Sequence, residues 1–217
     1  YPDIDITDIV HEGSNTISAH SWTWNNCMWQ FYSCTAAWFL IHIETGEDSC
    51  GAAIPSVPSL IKQCDSRWAN LQYDNRPGET VCDWACALSS LNMLMNSKGC
   101  YPDFLATNRC PNCYDTSGGV DFGSVLNKYC PSISYLKDEK VEYPSFKSVE
   151  SVLVETPIDD DIKNGYNYIL HVKNKKGKCR HFVFMTGVAD DCKKLNVLDP
   201  SNRVTSVSEI CGYRKFK

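Results

Sequence analysis

Apolar residues recur at helical spacing in residues 86–97, which read CALSSLNMLMNS. Leu88, Leu91 and either Leu94 or Met95 fall on one side of a helix, because residues three or four positions apart share a face. The pattern predicts an amphipathic helix with that side buried.

Two weaker helical patterns, residues 123–130 and 146–154, precede a stretch that favours strands. The strand candidates are residues 167–172, 181–188 and 194–200, which are rich in β-branched and aromatic residues. Turns containing Gly, Lys and Asp separate them, as expected for successive strands of one antiparallel sheet. Because the strong helix comes first and the strands follow, the pattern predicts an α+β fold.

The first fifty residues differ from the rest in being rich in Trp, Tyr, Phe, Thr and Ile, which favour strands. Residues 51–60, GAAIPSVPSL, contain two prolines and several small residues, which indicate a linker or an extended strand. We therefore expect a small β-rich appendage over residues 1–56 and a second domain over residues 57–217.

Composition indicates a folded globular protein, since 43% of the 217 residues are hydrophobic. The net charge is −5, and the basic cluster at residues 173–180 has the Asn and Gly of a hairpin turn, so nucleic-acid binding is not expected. No apolar run reaches the roughly 18 residues of a transmembrane helix. The chain begins at Tyr1 with neither an initiator Met nor a signal peptide, as a mature secreted protein would.

Thirteen cysteines are unusual for a reducing cytosol and ordinary for an oxidising compartment, so we expect disulfide bonds and secretion. Structural zinc is not expected, because the close pair Cys110 and Cys113 has no second Cys or His pair at zinc-finger spacing. The odd count means that six disulfides would leave one thiol over. Parity alone does not tell whether that thiol is a nucleophile.

Three residues have the properties of a thiol nucleophile and its partners. Cys86 lies at the start of the predicted helix, where free N–H groups and the helix dipole favour an anion. His181 opens an apolar strand, and Asp199 ends the next one, so adjacent antiparallel strands would bring them together. The sequence thus offers a nucleophile, a base and a group that orients the base.

Four segments in order resemble the C39-like branch of papain-fold cysteine peptidases. PSLIKQCDSRWANLQY resembles the first segment of that family, TVCDWACALSSLNMLMNSKGCYP its nucleophile helix, CRHFVFMTGV its His strand and LNVLDPSN its Asp segment. The likeness covers residues 57–217 and implies a papain-like fold, in which a nucleophile helix packs on an antiparallel sheet. The matching residues are Gln63, Asp65, Trp68, Cys86, Ser89, Ser90, Leu91, Met93, Gly99, His181, Phe182, Val183, Thr186, Gly187, Asp199 and Pro200.

The resemblance implies a role for each of four residues. Cys86 would be the nucleophile, His181 the general base and acid, and Asp199 the group that orients and charge-stabilises His181. Gln63 would donate to the oxyanion together with the backbone N–H of Cys86, a role that rests on the resemblance alone. The implied protein is a secreted cysteine peptidase or amide hydrolase that acts on a peptide or protein and uses no metal or organic cofactor.

Two features depart from the family pattern. Ala85 stands where the family usually has Gly before the nucleophile. Cys82 precedes Cys86 by four residues, a spacing seen in related bacteriocin-processing peptidases whose earlier Cys is the nucleophile, so Cys82 is a rival candidate. Cys86 is preferred because Met93 and Gly99 then fall at the family positions.

Two other functions remain open. The domain could be a catalytically inactive papain-like module that serves as an extracellular structural or binding unit among protein partners, with Cys86 in a disulfide. It could also be a transferase similar to phytochelatin synthases, although disulfide-rich secretion does not suit thiol-peptide synthesis.

Overall fold

A six-stranded antiparallel sheet is the largest element of the computed structural model, which describes residues 50–74 and 76–217. Strands neighbour one another in the order β1-β6-β2-β3-β4-β5. The predicted strands β2, β3 and β4 are confirmed as successive antiparallel neighbours. The sequence patterns did not predict β1, β5 or β6. The bounds are β1 Val141–Ser148, β2 Asn167–Lys173, β3 Cys179–Val188, β4 Leu195–Leu198, β5 Ser206–Val207 and β6 Glu209–Phe216.

Six α-helices lie in the described residues, and together with the sheet they make the fold α+β. The strong helix candidate is confirmed as α2, and the candidate at residues 123–130 corresponds to α4 within one residue at each end. The candidate at residues 146–154 starts later than predicted, because its first three residues belong to β1. The bounds are α1 Val81–Trp84, α2 Cys86–Ser97, α3 Phe104–Asn108, α4 Phe122–Tyr129, α5 Val149–Glu155 and α6 Ile158–Lys163.

Helix α2 is buried on all sides rather than on one face as predicted, since every residue from 86 to 95 is buried. Leu91 and Leu94 belong to the main core, which includes the inner side chains of the sheet. Leu88 packs into a second apolar cluster together with Trp68 and Phe104. The helix therefore lies between two apolar layers, a placement that periodicity within the helix cannot reveal.

Several helix starts are stabilised by side chains that accept backbone N–H groups. Asp103 accepts the N–H of Ala106 at the start of α3, and Asp121 accepts that of Ser124 at the start of α4. Helix α2 differs, because the residue before it is Ala85, which has no side-chain acceptor. Its first N–H groups therefore have no side-chain cap.

The extended alternative for residues 51–60 is correct at residues 52–54, which add to the sheet. Ala53 pairs with Gly187, and Ile54 donates to the carbonyl of Thr186 at 3.0 Å. Residues 52–54 therefore belong to the same compact unit as the sheet. The boundary near residue 56 and the β-rich appendage stay predictions, because residues 1–49 lie outside the described part of the chain.

Ten of the eleven cysteines in the described residues lie in pairs at disulfide distance. One pair, Cys179 and Cys211, connects β3 to β6 across the intervening β2, and another, Cys64 and Cys82, joins α1 to the segment before it. These cross-links are consistent with an oxidising compartment. The remaining pairs are Cys50–Cys192, Cys100–Cys130 and Cys110–Cys113.

Among the residues that the structure describes, no helix has both the length and the apolar character needed to cross a membrane.

Candidate active site

Cys86 is the one cysteine of the described residues that has no disulfide partner. It is the first residue of α2 and is 9% exposed. The rival candidate Cys82 is paired with Cys64, so its sulfur is not available as a thiol in this structure. Burial alone does not make a thiol reactive, and the neighbours of Cys86 decide what it can do.

A break between α1 and α2 shapes the surroundings of this thiol. Ala85 separates the two helices with ψ of 18°. In a continuous helix the carbonyl of Cys82 would accept the N–H of Cys86, but here it accepts the side-chain amide of Gln63. The N–H of Cys86 is thus one of the first-turn donors of α2, which have no acceptor within the helix.

Gln63 lies next to the end of α1, where its side chain contacts the carbonyl of Cys82, and is 6% exposed. Its backbone N–H donates to the carbonyl of Pro200 at 3.0 Å, which joins it to the segment that follows Asp199. The side-chain nitrogen already donates to Cys82, but an amide carries two N–H donors, so one remains for another acceptor. The Oε1 atom is buried and has no hydrogen-bond partner among the described residues.

Trp68 supports the turn that carries Gln63. Its indole N–H donates to the carbonyl of Lys62 at 2.9 Å, and its ring stacks on Phe104 with centroids 4.5 Å apart. Asp65, another position of the resemblance, pairs instead with Arg67 at the surface. Trp68 therefore contributes to the site by holding backbone, and Asp65 does not contact it.

His181 and Asp199 form a buried pair beside Cys86. The Nε2 atom of His181 is 2.6 Å from Oδ1 of Asp199, and their side chains are 7% and 0% exposed. The register pairs Phe184 with Leu198, so residues 181 and 199 lie close together just beyond the paired segment. The thiol of Cys86 also lies close enough to His181 to influence the ionisation of the imidazole.

The ionisation of this pair follows from these contacts. Burial on its own would lower the pKa of His181, but the hydrogen bond to Asp199 and the nearby thiol of Cys86 raise it to about 9. Burial would raise the pKa of Asp199, yet hydrogen bonds from His181 and Ser201 hold it well below its usual range. At neutral pH the site therefore favours an imidazolium beside a carboxylate.

Ser201 was not identified from the sequence and contacts both members of the pair. Its hydroxyl donates to Oδ1 of Asp199 at 2.7 Å and lies 3.3 Å from Nε2 of His181. Its backbone N–H donates to the same carboxylate oxygen at 2.8 Å, and the N–H of Arg203 donates to the other oxygen at 3.1 Å. The available signal was the DPSN turn, in which an Asp commonly accepts from residues two and more positions ahead.

A groove of about 1040 Å³ opens beside Cys86. Cys86 and Ala87 line it. His181 does not line it, but its two neighbours on β3, Arg180 and Phe182, do. Aromatic side chains form much of the wall, and one of them, Trp84, is 44% exposed. The other aromatic residues of the wall are Tyr73, Phe122, Tyr135 and Phe182.

The arrangement combines an unpaired thiol, a hydrogen-bonded imidazole, a carboxylate and uncapped backbone donors. Together these groups suit nucleophilic attack on a carbonyl followed by proton transfer. Within the described residues, no group of three or more His, Cys, Asp or Glu side chains is placed to hold a metal ion. The searched family models and curated protein sequences contain no match to this chain.

Proposed function

We propose that this protein is a secreted thiol-dependent amide hydrolase, a cysteine peptidase with a papain-like fold similar to the C39-like branch. One observation supports it most: the only described cysteine without a disulfide lies near a His that is itself paired with a buried Asp. A structural cysteine has no need of these neighbours, whereas a nucleophile needs all of them. This geometry supports the roles proposed for Cys86, His181 and Asp199.

In the first step the Cys86 thiolate attacks the carbonyl carbon of an amide. A C–S bond forms, and the carbonyl oxygen becomes an oxyanion. The tetrahedral intermediate then breaks its C–N bond, and His181 gives its proton to the leaving amine. The products of this step are a free amine, a thioester on Cys86 and a neutral imidazole.

The second step releases the acyl group. Neutral His181 takes a proton from a water molecule, whose oxygen attacks the thioester carbonyl. The C–S bond breaks, the carboxylic acid leaves, and the thiolate and imidazolium are restored. Asp199 keeps the ring of His181 in place and stabilises its positive charge throughout.

The oxyanion needs hydrogen-bond donors that are in place before the reaction. The N–H of Cys86 is one candidate, because the break at Ala85 removes its helical acceptor. The second N–H of Gln63 is the other candidate, since the side chain lies next to the end of α1. This scheme uses only groups of the protein and requires neither a metal nor an organic cofactor.

The alternative of an inactive extracellular module rests on Cys86 being lost to a disulfide. The absence of a disulfide at Cys86 in the described part of the chain favours the hydrolase. The transferase alternative has no specific support in the contacts of the site.

Alkylation of the native, unreduced protein with iodoacetamide at several pH values, mapped by mass spectrometry, tests the proposal. We expect Cys86 to be labelled faster at neutral pH than an ordinary buried thiol, because a neighbouring imidazolium stabilises a thiolate. The His181→Gln variant should then be labelled more slowly at neutral pH, while its disulfides stay intact.

Two results would contradict the hydrolase. One is a peptide map in which Cys86 is bridged to another cysteine. The other is labelling of Cys86 with the pH dependence of an ordinary thiol, unchanged by His181→Gln.

A further inference from the structure

The groove beside Cys86 carries more positive than negative side chains, although the chain has a net charge of −5. Five Lys and Arg residues and two Asp residues line it among the described residues. A groove whose charge opposes that of the whole protein concentrates ligands of the opposite sign. The cationic residues are Arg76, Lys137, Lys140, Arg180 and Arg214.

The two carboxylates of the groove are already occupied by local hydrogen bonds. Asp115 accepts from the hydroxyl of Ser117 at 2.6 Å and from the N–H of Gly119 at 2.8 Å within its own turn. Asp121 caps α4 and accepts from Ser124. Neither carboxylate forms an ion pair with a cation of the groove, judged over the described ranges.

Three of the cations are exposed and available. Lys137, Lys140 and Arg180 have no carboxylate within 4.0 Å in the part of the chain that the structure describes. Lys137 and Lys140 lie at the two ends of one short 3₁₀ segment, so their side chains start from nearby backbone. Arg180 directly precedes His181 on β3.

The fourth cation is held in a fixed position. Arg214 is 7% exposed, donates to the carbonyl of Tyr213 at 3.1 Å and pairs with Glu142. Its guanidinium lies 5.4 Å from the ring centre of Phe182, against which His171 stacks at 4.6 Å. Arg214 is therefore already paired, as Arg76 is with Glu79, and the cations left for a ligand are Lys137, Lys140 and Arg180.

We infer that the groove beside Cys86 selects peptide segments rich in acidic side chains, recognised by Lys137, Lys140 and Arg180. The inference rests on the proposed function, which supplies the need for a peptide carbonyl at Cys86. Aromatic walls contact the backbone and apolar parts of the peptide, and the cations select its carboxylates. A peptide is favoured over a nucleic acid because the groove leads to the nucleophile and has few unpaired cations.

Binding is measured on the full chain with Cys86→Ala, which cannot turn over its ligand. The probe is a fluorescent peptide of alternating Glu and Ala, and the comparison peptides carry Gln or Lys in place of Glu. We expect tightest binding of the Glu peptide, and the double variant Lys137→Glu/Lys140→Glu should weaken it about tenfold. The preference should shrink as salt concentration rises.

A matched control makes the same change in charge at a site outside the groove. Lys193 and Lys194 are exposed neighbours in the β3–β4 turn and do not line the groove. The double variant Lys193→Glu/Lys194→Glu should bind the Glu peptide as tightly as the parent does. Equal binding of the Glu and Gln peptides, equal losses in both double variants, or tighter binding of a single-stranded oligonucleotide would each overturn the inference.

The binding test and the alkylation test have independent outcomes, so the acidic preference can be wrong while the hydrolase stands, or the reverse. If Cys86 labels as an activated thiolate and neutral peptides are cleaved as fast as acidic ones, the hydrolase stands and the acidic preference is wrong. If Cys86 is unreactive but the Glu peptide binds selectively, the groove is an acidic-peptide site without the proposed chemistry.

Discussion

Two His–carboxylate pairs lie on neighbouring strands of one sheet, and only one of them has the surroundings of a catalytic pair. His181 and Asp199 are 2.6 Å apart and almost fully buried. His171 and Glu142 are 2.9 Å apart, with 15% and 37% of their side chains exposed. A His beside a carboxylate is therefore too common an arrangement to indicate catalysis.

The two pairs differ in the other groups that surround each histidine. His181 has a thiol on its other side, whereas His171 stacks on Phe182, and its carboxylate partner also pairs with Arg214. Glu142 serves to hold cationic and aromatic groups at the groove wall. Asp199, in contrast, is dedicated to His181 and to the turn that follows it.

The largest expected effect separates the two histidines by activity. His181→Gln should lower kcat/KM for peptide hydrolysis by about 10²–10⁴-fold, because the proton donor and acceptor is lost. His171→Gln should lower it by less than about tenfold, since it only loosens the groove wall. Initial rates with a fluorogenic acidic peptide measure both variants.

Circular dichroism of each variant checks that the fold is intact. Equal losses of activity in the two variants would contradict the claim that only the His181–Asp199 pair is catalytic.

A second expected effect is the pH dependence of stability. The folded-state pKa of His181, about 9, lies above its usual 6.5, so the pair stabilises the fold fully below pH 6.5 and less as the pH rises through 9. The pKa of Asp199 is lowered from 3.8, so its contribution is present above about pH 4 and is lost in stronger acid.

Thermal unfolding of the parent and of Asp199→Asn at a series of pH values measures this contribution. The difference in Tm should be greatest between about pH 4 and 6.5 and should shrink towards pH 9 and above. Glu142→Gln should show a smaller difference, because that pair is partly exposed to solvent. A Tm difference for Asp199→Asn that is constant with pH would contradict the ionised pair.

The smallest expected effect concerns Ser201. Ser201→Ala removes one hydrogen bond to Asp199 and should lower kcat by about fivefold, the size of one such bond. The variant should also raise the pKa of Asp199, which would move the acid limb of the pH–rate profile to higher pH. Ser56→Ala, at an exposed serine away from the site, is the control.

A fivefold lower kcat with an unmoved acid limb would mean that Ser201 acts on the turn and not on the charge of Asp199.

Strand β6 shows why part of the sheet escaped prediction. It lies between β1 and β2, yet its sequence EICGYRKF contains a Gly and two cations, which weaken a strand pattern. Gly212 is required because a Cβ there would lie 2.2 Å from the carbonyl oxygen of Val141 on β1. Arg214 is buried only because Glu142 of the same neighbouring strand pairs with it. Both reasons involve a strand that is distant in sequence.

Strand β1 was missed for a related reason. Pro144 lies within it, and proline is normally excluded from central strands. The strand tolerates it because it lies at the edge of the sheet and its register shifts between Glu142 and Lys147.

Local pattern was sufficient for helix α2, for strands β2 to β4 and for the proximity of His181 and Asp199, because these depend on periodicity and on neighbouring strands. Which cysteine keeps its thiol was decided only by the tertiary structure. Pairing requires Cα atoms a few ångströms apart, and a count of thirteen cannot specify distances between residues as far apart as Cys50 and Cys192. The contacts of Ser201 and the charge of the groove likewise depend on how separate segments fold together.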